Sequence, residues 1–512
     1  MYINNFIERL SQSQQLLITL QNPHIPIDKK DQPPEALKIS QKILNILEKE
    51  YNYSETEEEI KQKDKKVQKL REIILNWISQ VAEEKQIDFK YNGDLLIFGS
   101  YKLKVNQKNS DIDAVCFVPS FVECKKHFFG DLFHILSQKK EVEDIFSIQH
   151  TSVPLIKMRY FGIPFDISFS KQSQSQFKSD LDIKSIQILQ GMDEKSIRAL
   201  NGYRVAEWFN QNIKNKDTFK KALKCIKLWA QNRCIYSNIL GYLNGIAWSI
   251  LVAKICQLYP NYFVYGIIER FFFLYSRWKW HDMAVQIEYI QEDIYNQMIC
   301  GNQWVPENKG ISNMMIITPC FPCINCAYNV TESTLRVIQE QFQYGYRILD
   351  EIQKNQSHYD YQDLFKPFEF FKRYNAFLQI RILAKNKNEY FQWKGHVEIN
   401  LRKLTKIIEN GKLSKIILIH PFSKFIDLCL KEQLGDYSLG CVYFYGIKVK
   451  DNQNDIQISF EEEIKKFLEI LEFGDKIPQL VNISIKCVRQ QQVFAFNQDW
   501  AEVINNQMVN IQ

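Results

Sequence analysis

In the run Ser110-Asp111-Ile112-Asp113-Ala114-Val115-Cys116-Phe117-Val118, two acids stand two residues apart at the mouth of an apolar stretch. A β-strand repeats every two residues, so Asp111 and Asp113 leave the same face of the strand that this run predicts. Two carboxylates held side by side repel each other and shift their protonation equilibria unless a cation neutralises them. Magnesium suits such a pair, because it takes oxygen ligands and binds through one or two carboxylates together with substrate phosphates. Upstream, Leu95-Leu96-Ile97-Phe98 predicts a short buried strand, and Gly99-Ser100 follows at its turn. Glycine lets backbone approach a phosphate closely, and the Ser100 hydroxyl with neighbouring N–H groups can hold its oxygens. Either motif alone would be an ordinary strand end or turn. Together they point to metal-dependent phosphoryl transfer.

A single acid in a second apolar context extends this reading. Residues 154–169, PLIKMRYFGIPFDISF, outline a hairpin with its turn at Gly162 and with Asp166 alone on the second strand. A buried lone acid is costly unless it is paired or binds metal. If the hairpin packs beside the Asp111/Asp113 strand, Asp166 is a third ligand, and two cations about 4 Å apart could clamp an in-line displacement.

The rest of the chain bounds this chemistry. A length of 512 residues predicts about three domains. Hydrophobic content of 45% with 13% aromatic residues excludes a disordered chain. The net charge of +6 permits a nucleic-acid partner without requiring one. The 12 cysteines lack the spacing of a secreted disulfide framework. Asn4, Asn5, Glu8 and Arg9 exclude a signal peptide at Met1–Leu10, and Lys254, Pro260, Glu269 and Arg270 break the most apolar stretch, so no membrane segment is expected.

Helical periodicity predicts helices over 34–51 and from Thr56 to about Val81, the latter with an acidic first turn. The lysines of 61–69 are read as its solvated face. A helix is expected over 125–140 and a strand from Asp144. From residue 193 the pattern turns helical, over 196–210 and 218–231, and Lys224 and Lys227 in the second helix need a reason if they face inward. Residues 236–245, YSNILGYLNG, form a polar, glycine-bearing turn before an apolar helix pair. Cys320, Cys323 and Cys326 have metal-like spacing, but no fourth ligand is evident, so they are read as an ordinary loop. From about Tyr361, a helix over 390–410, strands over 414–420, 440–450 and 481–489, and a helix over 461–471 predict a small α+β domain of the RNA-recognition type. Its solvated faces are expected to carry Arg381, Arg402, Lys403, Lys406, Lys412 and Lys415, within reach of phosphate.

Several motifs together resemble those of eukaryotic nuclear-type poly(A) polymerases, of the DNA polymerase β-like nucleotidyltransferase superfamily. They are FGSYKL at 98–103, KNSDIDA at 108–114, SIRALNGYR at 196–204, IKLWA at 226–230, YSNILG at 236–241, IITP at 316–319 and YNV at 328–330. The similarity is collinear from about residue 20 to 490, and Asn244-Gly245 stands where the family has Gly-Gly. The resemblance implies a multidomain α+β chain: a mixed-sheet nucleotidyltransferase catalytic domain over 56–172, a helical middle domain over 173–360 joined by the helical segment 20–55, and an RNA-recognition-like domain over 361–492. Residues 1–19 are then a leader and 493–512 a tail.

The resemblance also implies site roles. Asp111, Asp113 and Asp166 would hold two magnesium or manganese ions, and Phe98, Gly99, Ser100, Asn201, Lys227, Tyr236, Asn238, Gly245 and Ile246 would line the ATP pocket. Arg381, Arg402, Lys403 and Lys406 would contact RNA. The implied reaction is template-independent transfer of AMP from ATP to the 3′ end of an mRNA precursor, releasing pyrophosphate. The implied setting is a nuclear monomer recruited by cleavage and polyadenylation proteins, with no membrane partner. A uridylyl transferase and an inactive RNA-binding scaffold are the competing readings.

Overall fold

The computed structural model describes residues 25–87, 93–149, 151, 153–173, 183, 185–289, 312–354, 358–411, 416–428, 436–449, 459–472 and 477–495. Lys412 and Lys415 therefore lie outside the described residues.

Helix α1 (Pro34–Lys49) is the first helix among the described residues, and α2 (Glu57–Glu84) follows after a reciprocal cap. Thr56 Oγ1 accepts from the Glu59 N–H at 3.2 Å, and the Glu59 carboxylate accepts from the Thr56 N–H at 2.7 Å. Such a box satisfies two backbone donors that a helix start otherwise leaves unpaired. Leu70, Ile74, Trp77, Ile78 and Val81, at helical spacing, form the buried face of α2.

That face covers a five-stranded sheet in the order β1-β2-β5-β4-β3, built from β1 (Asp94–Ile97), β2 (Ile112–Val118), β3 (Val142–Ile148), β4 (Leu155–Tyr160) and β5 (Ile163–Lys171). The one-turn helix α3 (Gly99–Lys102) follows β1. Strand β2 is buried on both faces. Ala114, Cys116 and Val118 meet α2, whereas Val115 and Phe117 meet Ile197 and Leu200. Burial on both sides explains why the sequence after Asp113 is continuously apolar rather than alternating. Strands β2 and β5 pair in parallel, and the other pairs are antiparallel. Between β2 and β3 the expected single helix is instead a wide π-helical segment, Cys124–Leu132, continued by α4 (Phe133–Ser137). Phe128 and Leu132 are fully buried there.

Helices α5 (Glu194–Asn212), α6 (Lys216–Asn232), α7 (Gly245–Leu258), α8 (Val264–Tyr275) and α9 (Glu332–Gln353) form the middle layer, and α1 packs in the same core. Its centre is aromatic: Phe342 stacks on Trp229 at 5.9 Å and on Trp280 at 5.8 Å between ring centroids.

The last layer is a second sheet in the order β10-β6-β9-β7, from β6 (Ala376–Ala384), β7 (Ile416–Pro421), β8 (Ile426–Asp427), β9 (Leu439–Val449) and β10 (Val481–Arg489), with β8 paired to β9. Helix α10 (Lys387–Glu409) covers one face through Trp393, Val397, Leu401 and Leu404, beside α11 (Glu461–Glu472). Strand β6 is an addition to the elements read from periodicity, although Leu378-Gln379-Ile380-Arg381-Ile382 alternates apolar and polar residues as a strand does. Phe377 and Phe444, on the face opposite α10, are buried with Phe370, Phe371 and Phe422. That part of the sheet is closed by packing rather than presented for base stacking.

Candidate active site

The condition set by the sequence is met: β5 lies directly beside β2, with Asp113 opposite Asp166 in a parallel register. Asp111 precedes the strand by one residue and couples electrostatically to both. Burial, then repulsion from Asp111 and Asp166, pushes the Asp113 carboxyl up to about 7. Burial also raises Asp166, against the opposing pull of Lys157.

Local backbone fixes this cluster. The Phe98 N–H donates to the Asp113 carbonyl at 3.0 Å, tying the end of β1 to the acid-bearing strand. Gly99 has φ +66°, and a Cβ built there would lie 2.2 Å from Asp113 Oδ2. Glycine is thus required twice, for a left-handed backbone and for contact with a carboxylate. The Phe98 ring lies against Gly202 of α5, where an added Cβ would come within 2.6 Å of it.

Across from the carboxylates stands α6. Lys227 is 6% exposed, and its Nζ donates to the Val105 carbonyl at 3.2 Å. Burial pushes this ammonium down to about 8, while Asp111 and Asp113 pull it back up. The inward lysine therefore faces the acid cluster. Tyr236 is raised by burial and by the same two carboxylates. Its hydroxyl approaches Gly245, where a Cβ would lie 2.9 Å away, so the start of α7 closes on the phenol. Asn244 caps that helix, its Oδ1 accepting from the Ala247 N–H at 2.9 Å. A side chain that departs from the glycine pair of the resembling family thus has a structural task here. Ile246 is half-buried against the helical core. Asn201 and Ser110 each keep a buried side-chain oxygen, Oδ1 and Oγ, without a hydrogen-bond partner. Buried polar atoms of native proteins are seldom left so, and a bound ligand is one reason for an exception.

The donor set fits a hard divalent cation: it is all carboxylate oxygen, and Asp113 is destabilised in its charged form. In this arrangement, however, no group of three His, Cys, Asp or Glu side chains among the described residues converges as a closed metal shell. Lys157 explains part of that, because its ammonium is ion-paired with Asp166. Lys157 was not singled out in the sequence. It was nonetheless readable: with Phe161 and Gly162 both at positive φ, the hairpin turn pairs Tyr160 with Ile163, and counting back places Lys157 opposite Asp166.

The RNA-facing set divides. Lys403 and Lys406 are exposed on α10. Arg381 is instead half-buried within β6, and Arg402 is half-buried with its Nη1 donating to Asn329 Oδ1 at 2.6 Å. Neither arginine lies on the solvated face expected for it: Arg381 is partly covered on its face of β6, and Arg402 points into the middle layer. Asn238 contacts the same Asn329.

Three family models match in succession: the poly(A) polymerase nucleotidyltransferase domain over residues 25–211, the poly(A) polymerase central domain over 218–367 and the poly(A) polymerase predicted RNA-binding domain over 369–436. The chain is 34% identical to nuclear poly(A) polymerase 4 of Arabidopsis thaliana over 77% of its own length and 52% of that protein. It is 31% identical to the poly(A) polymerase of Dictyostelium discoideum over 91% of its length and 58% of that protein. It spans about half the length of the curated relatives it matches. A solved Cid1 poly(U) polymerase chain overlays with a TM-score of 0.44 and 15% identity, covering 65% of this chain and 99% of that one.

Proposed function

The chain belongs to the poly(A) polymerase family, and from that premise we propose that it transfers AMP from ATP to RNA 3′-hydroxyl ends without a template. The observation that supports this most is the pairing of Asp113 with Asp166 on parallel strands, faced by Lys227 and Tyr236 from the helical layer. In the reaction the primer 3′-oxygen bonds to the α-phosphorus of ATP as the bond to the bridging oxygen breaks, and pyrophosphate leaves.

The roles of the residues follow from their chemistry. Asp111, Asp113 and Asp166 would hold two magnesium or manganese ions, whose charge supplies Lewis-acid stabilisation and favours the deprotonated primer hydroxyl. Lys227 is a buried point charge, suited to phosphate oxygens. A triphosphate beside it restores the protonated form that burial disfavours. Ser100 and Asn201 offer neutral polar groups to the nucleotide, and Tyr236 offers a ring held in place by Gly245. Phe98, Gly99, Asn238 and Ile246 complete the pocket. Lys157 offsets part of the burial that raises Asp166, and Asp166 would have to give up that ion pair to hold a cation. Exposed Lys403 and Lys406 on α10 contact RNA phosphates.

The setting proposed is nuclear mRNA 3′-end formation by a monomer that cleavage-complex proteins recruit. Three of the similar plant proteins carry "nuclear" in their names. No helix among the described residues is long and apolar enough to cross a membrane. An oligo(A) primer incubated with each nucleoside triphosphate separately tests the reading. Extension by ATP above the other three is expected, and UTP extension exceeding ATP extension would sink the adenylyl assignment.

A further inference from the structure

Helix α10 of the last layer grips the loop that carries Asn329 with two side chains seven residues apart. Arg402 Nη1 donates to Asn329 Oδ1 at 2.6 Å, and Glu409 Oε1 accepts from Thr331 Oγ1 at 2.8 Å and from the Ser333 N–H at 2.7 Å. Seven residues are two helical turns, so both side chains leave one face of α10. The Arg402 guanidinium also lies over the Tyr328 ring, 5.5 Å from its centroid. Asn329 is 2% exposed, and its side-chain amide continues the chain of contacts inward. Its Nδ2 donates to Asn238 twice, to the backbone carbonyl and to Oδ1, each at 3.1 Å. The Asn238 carbonyl also accepts from the Gly241 N–H at 3.2 Å, closing the 236–241 turn. Gly241, at φ +85°, lies so near that an added Cβ would be 3.2 Å from the Asn329 carbonyl.

We propose that Arg402, through Asn329, is a positioning residue for the nucleotide pocket, locking the Asn238 turn to the RNA-facing domain. The arginine touches no substrate. A charged donor on Asn329 Oδ1 polarises the amide and strengthens the bonds its Nδ2 makes, as in other hydrogen-bond chains. The turn that carries Tyr236 and Asn238 is thereby held against the Asn329 loop and α10. The helix that does this also presents Lys403 and Lys406 to solvent, so primer-contacting and nucleotide-contacting groups share one rigid support. The consequence for nucleotide binding rests on the polymerase reading above, whereas the mechanical link does not.

The test combines kinetics with amide hydrogen exchange on the full chain. Arg402→Met, which keeps an apolar stem without the donors, is expected to raise KM for ATP about tenfold while KM for an oligo(A) primer stays within about twofold, a difference worth about 1.4 kcal/mol of nucleotide binding. Exchange in the peptide spanning 236–245 is expected to quicken about tenfold with that of 112–118 unchanged. Asn329→Asp, which puts a carboxylate oxygen against the Asn238 oxygens, should give the same pattern. The double variant should be no worse than either single, since both cut one chain of contacts. Arg402→Lys, retaining a charged donor, should recover part of the loss and covers the case in which Arg402→Met does not fold. A rise in primer KM with ATP KM unchanged would make Arg402 an RNA contact and overturn the proposal, as would unchanged exchange at 236–245. A wild-type chain that extends no primer with any nucleotide sinks the polymerase reading instead, and the exchange rates alone then decide the link.

Discussion

Asp113 and Asp166 lie on neighbouring strands, and the charge they share is what the pocket must neutralise. Because burial and its neighbours raise Asp113 to about 7, the folded protein binds a proton there that the unfolded chain, at the ordinary value of 3.8, releases. Between these values the native state holds more protons, so this group's stabilising contribution is complete below pH about 4 and fades as pH rises toward 7. In metal-free buffer the melting temperature should therefore fall from pH 5 to pH 8 by more in wild type than in Asp113→Asn. That variant should melt higher than wild type at pH 8 yet lose at least about a thousandfold in elongation rate, since the positioned carboxylate is gone. Magnesium should raise the wild-type melting temperature more at pH 8 than at pH 6, because a carboxylate must be deprotonated to ligate. Equal shifts at both pH values would contradict the assignment. Lys227→Met should raise KM for ATP roughly tenfold or more, a loss of about 1.4 kcal/mol or more, in initial-rate assays at saturating primer. Gly99→Ala combines a left-handed φ with a 2.2 Å approach to Asp113, so activity should be lost even if the fold survives, as circular dichroism would show.

At the scale of the element, the ends of helices carry more information than their lengths. The Thr56/Glu59 box starts α2, whose buried face packs on the first sheet. Thr56→Ala should cost about 1 kcal/mol in chemical denaturation and leave the kinetics untouched. Asn244 caps α7 from within the pocket turn, so Asn244→Gly, the residue of the resembling family, should cost only a few tenths of a kcal/mol. The π-helical segment Cys124–Leu132 and strand β6 are the elements that periodicity misread or missed. In β6 Leu378, Ile380 and Ile382 pack under α10 while Gln379 and Arg381 alternate with them on the other face, so the two-residue period of a strand was present there to be read.

In the whole molecule α10, of the last layer, touches both of the others. At its start Lys387 pairs with Asp144 at 2.6 Å and Phe391 stacks on Phe146 with ring centroids 5.6 Å apart. Near its end Arg402 and Glu409 hold the middle layer. The basic residues that remain outward, Lys403 and Lys406, should act through charge alone. Their double alanine variant should weaken binding of single-stranded RNA at low salt and reduce the slope of log K against log salt by up to about 1.4, with ATP KM unchanged. A filter-binding titration at several salt concentrations measures that slope.

The amino-acid order by itself determined the acid-bearing strand and its neighbours. A two-residue spacing puts Asp111 and Asp113 on one face, continuous apolar residues demand cover on both sides, and Gly99 marks the close approach. It also set the layer sequence of sheet, helices and second sheet through changes of period. What it could not decide were contacts between segments distant in the chain. Asp166 joined the pair only because β5 inserted beside β2. Arg402, read locally as one more exposed cation, was drawn inward by an asparagine 73 positions away. Period and composition report which face of an element is buried, whereas only tertiary packing decides what that face is buried against.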